Sequence, residues 1–315
     1  MSGDVIVTVT LNAALHVDYA TGDLAVEGIN PVSRPRCRAG GRGVTVARVL
    51  RAFGHDVLAA GLVGGASGEL IREDLAKSGV PTAFTLIRGE SRRFFRFADP
   101  AGPVMRFGEP GPYITTEELG RFAADYRRLM SGAAAVVLCG SLPDGLPADT
   151  YGSLVTYAAE AGVPVILDAG GEELKHAVGH GPDLVVAETN SAEADLGVLG
   201  AELIRLGAGA AAVAVGGLVR AVTPGGDWTA RVEVTDVVGA DPARPPARGA
   251  LVAGLVPGQL LGWSWPDRLR HALALAAGGA GAWTRVPGAP EDRDHVDLAA
   301  YERLLDAVRV EYTVR

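Results

Sequence analysis

The sequence predicts an α/β protein, a doubly wound and mostly parallel sheet with helices on both faces, plus a small β-sheet lid. Three observations predict it. Between about residues 116 and 215, short β-branched and apolar runs alternate with helical runs of ten or more residues. That alternation marks βαβ units, and hence parallel strands. Residues 81–106 break it with strand-like patterning of their own. The 315 residues are 48% hydrophobic and 21% charged, which is enough apolar material for a large core and unlike a disordered chain. The expectation is one domain over residues 1–315, with lid inserts at approximately 12–36 and 84–110.

Each element has its own reason. Residues 5–10, Val-Ile-Val-Thr-Val-Thr, form a short β-branched run suited to a buried strand. Over 43–53, Val44, Val46, Ala47, Val49 and Leu50 recur at helical spacing, and Gly54 closes the run as a C-terminal cap. A strand at 57–63 and a helix at 69–78 follow. Alternation in Arg92-Arg93-Phe94-Phe95-Arg96-Phe97 suits an edge strand, with a turn at Asp99-Pro100-Ala101-Gly102. Helices are then expected at 116–130, 147–161 and 191–199, and strands at 134–139, 163–168, 183–187 and 211–215. Two short strands flank Pro224-Gly225-Gly226-Asp227, and helices at 249–261, 266–283 and 298–308 complete the pattern. Right-handed crossovers follow by default.

The net charge of −8 argues against nucleic acid as a partner, since phosphate-backbone binders carry a basic face. No apolar run reaches the roughly 18 residues of a membrane span, and no charged-then-apolar leader opens the chain. Two cysteines, Cys37 and Cys139, imply no disulfide framework and fit a reducing cytoplasm. Arginines at 34, 36, 38, 42, 92, 93, 96 and 106 crowd the first third. They suit either a solvated face or a pocket for a phosphorylated small molecule.

Three segments carry a family resemblance: Thr10-Leu11-Asn12-Ala13-Ala14-Leu15, Gly40-Gly41-Arg42-Gly43-Val44-Thr45-Val46-Ala47-Arg48, and Gly140-Ser141-Leu142-Pro143-Asp144-Gly145. Weaker echoes are Glu109-Pro110-Gly111-Pro112, Ile166-Leu167-Asp168 and Asn190-Ser191-Ala192-Glu193. In this order they resemble the phosphofructokinase-B branch of ribokinase-like sugar kinases, and in particular its 1-phosphofructokinase and tagatose-6-phosphate kinase group. The resemblance implies transfer of a phosphoryl group from ATP, with Mg²⁺, to a sugar or sugar phosphate. It also implies a homodimer formed through the β lid. Carried over, Asn12, His16, Gly40, Gly41, Arg42, Thr45, Arg92, Arg96 and Ser141 fall on the substrate side. Asn190, Glu193 and Gly216 fall on the nucleotide side, with Glu193 as an indirect Mg²⁺ contact.

Physical chemistry allows these roles and also plainer ones. Gly40-Gly41 before a helix lets backbone approach an anion at the helix N-terminus, or simply makes a turn. Asn190 and Glu193, three apart, share a helix face able to organise a hard cation, or form a capping box. The sequence also departs from the family pattern. The family's Gly-Ala-Gly-Asp supplies backbone N–H groups to the transferring phosphoryl and a carboxylate base. Here Gly239 and Ala240 match, and Asp241 arrives one residue early. Counted from the other side, Arg248 stands at the second glycine and Gly249 at the base. Pro245 and Pro246 forbid a helix running on from Asp241, so the helix begins near Gly249 and Asp241 sits on a loop, still a candidate base. On the substrate side, His16, Thr45 and Phe94 replace Asp, Asn and Asn, while Arg42 and Arg96 replace Lys. His16 suits a replacement ligand or base, or a purely structural ring. Two function classes follow: a sugar or sugar-phosphate kinase using Asp241, and a catalytically silent sensor of a nucleotide or sugar phosphate. A kinase of a non-sugar alcohol is a third.

Overall fold

A computed structural model of the chain describes residues 5–20, 27–32, 34–98, 104–232, 248–279 and 298–313. In the first third, strand β1 (Val5–Thr10) is followed by β2 (Ala14–Ala20), β3 (Arg36–Gly40), helix α1 (Arg42–Ala52), β4 (Val57–Gly64), α2 (Gly65–Lys77) and β5 (Thr82–Ile87). Strands β6 (Arg92–Ala98) and β7 (Val104–Gly108) come next, then α3 (Thr116–Met130), β8 (Ala133–Cys139), α4 (Thr150–Glu160), β9 (Val165–Asp168) and α5 (Gly171–Val178). The remainder is β10 (Leu184–Glu188), α6 (Leu196–Leu206), β11 (Ala211–Val215), β12 (Leu218–Thr223), β13 (Gly226–Val232), α7 (Arg248–Leu261), α8 (Trp265–Ala274), α9 (Leu298–Ala307) and β14 (Val308–Thr313).

Ten strands form one sheet in the order β14-β13-β12-β11-β10-β9-β8-β1-β4-β5. From β11 to β5 every described pairing is parallel, because each strand is joined to the next through a helix or a longer crossover. The last three pairings are antiparallel, made by tight hairpins at Gly216-Gly217 and Pro224-Gly225 and by the return of β14. Helices cover both faces, so the central strands are apolar on both sides. Along β1, Ile6 packs with Val44, Val46, Leu251 and Val252 on one face, while Val7 and Val9 pack with Phe122, Tyr126 and Tyr151 on the other.

A second, four-stranded sheet has the order β3-β2-β6-β7, with β2 and β6 parallel. Register aligns its side chains in rows. His16 pairs with Arg38 on one side and Phe94 on the other, and Asp18 pairs with Arg36 and Arg96. The opposite face turns Leu15, Val17 and Ala39 into the main core. This sheet takes its strands from residues 14–40 and 92–108, whereas β5 belongs to the edge of the large sheet.

The structure differs from the expectations at four places. The helix expected at 191–199 begins at Leu196, because the Asp195 carboxylate caps it, accepting from the Gly197 and Val198 N–H groups at 2.8 and 3.2 Å. The helix expected from 147 begins at Thr150, whose hydroxyl donates to the Pro147 carbonyl at 2.6 Å. Strand β14 was not expected: residues 308–313 pair along β13. Expected helix 266–283 is α8 followed by a π-helical turn at Leu275–Gly279, and its remainder lies outside the described residues. Among the described residues, no helix is long and apolar enough to cross a membrane.

Candidate active site

The carboxyl ends of β1, β8, β9 and β10 and the first turns of α1 and α7 converge, which is where open α/β sheets bind ligands. Two of the sequence motifs interlock there. A Cβ on Gly43 would fall 2.4 Å from Thr10 Oγ1, and one on Gly41 would fall 2.8 Å from the Thr10 methyl. Gly41 also has φ +123°, a conformation few side chains tolerate. The glycines thus let α1 begin directly against the end of β1, with its first N–H groups turned to the site.

Asn12, just past β1, is 8% exposed. Its Nδ2 donates to Ser141 Oγ at 3.3 Å and to the Leu142 carbonyl at 3.5 Å. Its Oδ1 is buried without a hydrogen-bond partner, an acceptor left open for a donor from outside the described chain. Gly111 lies against this amide, where a Cβ would come 2.7 Å from Oδ1. Arg92 donates from Nε to the Asn12 carbonyl at 3.3 Å, which brings the second sheet to the same place.

His16 stands over Gly40, where a Cβ would fall 2.2 Å from the imidazole Nε2, and its ring lies 5.6 Å from that of Phe94. Desolvation beside the sheet lowers its pKa, with nearby Asp18 pulling the other way, so the ring favours its neutral form. Arg96 pairs with Asp18 at 3.9 Å, and Arg93 with Glu109 at 2.7 Å. Two of the crowded arginines are thus matched by acids. Arg42, the first residue of α1, reaches Asp168 Oδ1 at 3.1 Å.

Thr45 donates to the Gly41 carbonyl at 3.3 Å and packs against Gly249. A Cβ on Gly249 would come 2.9 Å from the Thr45 Cβ. The right-hand counting of the broken motif puts the base at this position, and no carboxylate fits there. The left-hand candidates Gly239, Ala240 and Asp241 lie outside the described residues. On the nucleotide side, Asn190 and Glu193 are exposed on the loop before α6, not on a shared helix face, and neither caps that helix. Gly216, with φ +53°, makes the β11–β12 turn.

A sequence profile of the pfkB family carbohydrate kinases matches residues 8–227, which is well over half of the chain. The chain belongs to the pfkB family of carbohydrate kinases. It is 36% identical over 170 residues to tagatose-6-phosphate kinase of Staphylococcus epidermidis, a match covering 54% of each chain. It thus spans about half the length of the curated relatives it matches. Phosphofructokinase-2 from Escherichia coli superimposes with a TM-score of 0.81 at 23% identity, over 96% of this chain and 98% of that one. A carbohydrate kinase from Agrobacterium tumefaciens gives 0.74 at 18% identity, over 99% and 100%.

Within this pfkB fold, Asp168, which the sequence offers only in a weak motif echo and with no site role, is a fully buried acid. It closes β9, and Arg248 in the first turn of α7 lies 2.5 Å from its Oδ1. The same guanidinium donates to the carbonyls of Ala169 and Val186 at 3.2 and 3.1 Å, and its other nitrogen lies 3.5 Å from Glu188. Burial pushes the Asp168 carboxyl up, against the pull of Arg248 and Arg42. The available signal was a lone acid closing the apolar run Val165-Ile166-Leu167. Among the described residues, no group of three or more potential ligands is placed to hold a metal ion.

Proposed function

We propose that this chain phosphorylates a sugar phosphate, using ATP as donor. The observation that carries the reading is the open amide oxygen of Asn12 beside the N-terminus of α1, in a pfkB fold. A buried acceptor with no internal partner suits a sugar hydroxyl, and a helix N-terminus reached through Gly40-Gly41 suits a phosphate. Ser141 fixes the Asn12 amide; Arg92, Arg96 and His16 approach from the second sheet, and Arg42 from the first turn of α1. Thr45 sets the spacing of α1 against α7. By the family resemblance, Asp241 is the candidate general base for the attacking hydroxyl, and Gly239 and Ala240 are the candidates to supply N–H groups to the transferring phosphoryl.

Mg²⁺, when bound, would neutralise charge on the nucleotide phosphates; the exposed Glu193 would be its indirect contact, with Asn190 and Gly216 on the nucleotide side. The protein works as a homodimer through its second sheet, whose outer strand exposes Met105 and Phe107; light scattering that finds only monomer refutes the pairing. Free thiols at Cys37 and Cys139 agree with a reducing cytoplasm.

The test is ADP release with MgATP and a panel that includes tagatose 6-phosphate and the fructose phosphates. Turnover with one of them, reduced about 10²- to 10⁴-fold in Asp241→Asn, is expected for loss of a general base. No turnover with any member by folded protein overturns the kinase reading. Turnover untouched by Asp241→Asn moves the base elsewhere.

A further inference from the structure

Two acids close neighbouring parallel strands at the ligand edge of the sheet: Asp168 at the end of β9 and Glu188 at the end of β10. In a site that handles phosphates, two such carboxylates invite a divalent cation, because oxygen ligands on adjacent strands suit a hard ion. In this chain a cation of another kind already bridges them. Arg248 is 18% exposed, Asp168 is fully buried and Glu188 is 28% exposed. Four acceptors from the ends of two neighbouring strands share one guanidinium: the two carboxylates and the carbonyls of Ala169 and Val186. A planar fork with fixed donors can do this where a lysine cannot.

We propose that Arg248 is a built-in cation, holding the Asp168–Glu188 pair in the place a divalent ion would take and pinning the first turn of α7 to the ends of β9 and β10. Two features favour this over an ordinary buried ion pair. Asp168 Oδ1 is shared by Arg248 and Arg42, so the acid is matched by charge on both sides. Its Oδ2 is buried with no hydrogen-bond partner, so the carboxylate is held through the oxygen that faces the guanidinium groups and not by a neutral network. The consequence is that the acid pair gives the apoprotein no divalent-ion site. The inference uses the kinase reading to say why a cation belongs there, but its test needs neither nucleotide nor sugar.

The experiment is Mn²⁺ titration of nucleotide-free protein followed by electron paramagnetic resonance. Wild type, Glu188→Gln, Arg248→Gln and Arg248→Gln/Glu188→Gln are compared, with circular dichroism and melting curves to establish folding. Wild type and Glu188→Gln are expected to retain equally little Mn²⁺. Arg248→Gln is expected to gain one site at least ten-fold tighter than anything in wild type, lost again in the double variant. Mn²⁺ held by wild type and released by Glu188→Gln overturns the proposal. So does a folded Arg248→Gln that gains no site. Should Arg248→Gln not fold, the first pair decides: equal and negligible retention supports the built-in cation, and retention dependent on Glu188 refutes it. Loss of kinase turnover with these metal results intact would count against the kinase reading alone.

Discussion

The Asn12 amide is half committed, with its nitrogen bonded to Ser141 and Leu142 and its oxygen open. If a substrate hydroxyl completes it, Asn12→Ala removes an interaction of about 1–3 kcal/mol. Steady-state kinetics are then expected to show kcat/KM falling by roughly 10- to 100-fold; an unchanged value would place the sugar elsewhere. Gly249 is the reverse case, a position defined by the side chain it cannot hold. Gly249→Ala forces the new methyl against Thr45, and overpacking of this kind costs about 1–3 kcal/mol. Urea denaturation reads the loss, and an unshifted midpoint would mean that α1 and α7 separate freely. At this scale the sequence was informative about glycines and about Asn12, whose neighbours are local or motif-borne. It was silent on Arg248 as a partner of Asp168, because that contact joins residues with no shared pattern.

At the scale of elements, capping chemistry decides boundaries that periodicity misplaces. Residues 190–195 contain several side chains able to start a helix, and Asp195 does so. Asp195→Ala is expected to destabilise the protein by about 1 kcal/mol in chemical denaturation, the usual cost of losing an N-cap. In contrast, Ser191→Ala is expected to leave the midpoint in place; equal losses from both would restore the earlier boundary. Thr115 at α3 makes a full capping box with Glu118, and there the predicted helix start agrees with the fold. The parallel strands were legible because burial on both faces leaves continuous apolar runs. Strand β14 was not, although Val308–Thr313 alternates as an edge strand does, since it follows directly on a helix with no turn residue between.

For the whole molecule, one buried imidazole ties stability to pH. His271 on α8 hydrogen-bonds the Tyr301 hydroxyl of α9 at 2.5 Å and meets Phe53 and Trp263 edge-on. Burial, helped by His55, lowers its pKa from 6.5 to about 4. Between those values the unfolded chain binds a proton that the folded chain refuses, so stability falls as pH drops from 6.5 toward 4 and levels off below. The full effect is on the order of 3 kcal/mol. Denaturation midpoints measured from pH 4 to 7 should show this slope, and His271→Gln should flatten it. An identical slope in that variant would assign the dependence to other groups.

The parallel pairing of β2 with β6 sets a timetable for synthesis. Strand β2 ends at Ala20, and its central partner starts only at Arg92. At roughly 5–20 residues per second, the ribosome leaves β2 waiting for several seconds beside β3 alone. Through that interval one edge of β2 has unpaired amides, and Tyr19 lacks the Phe97 ring on which it later stacks. The nascent chain therefore carries an unpaired β2 edge until about its first third is made, and slower translation across that stretch is expected to lower the yield of folded protein.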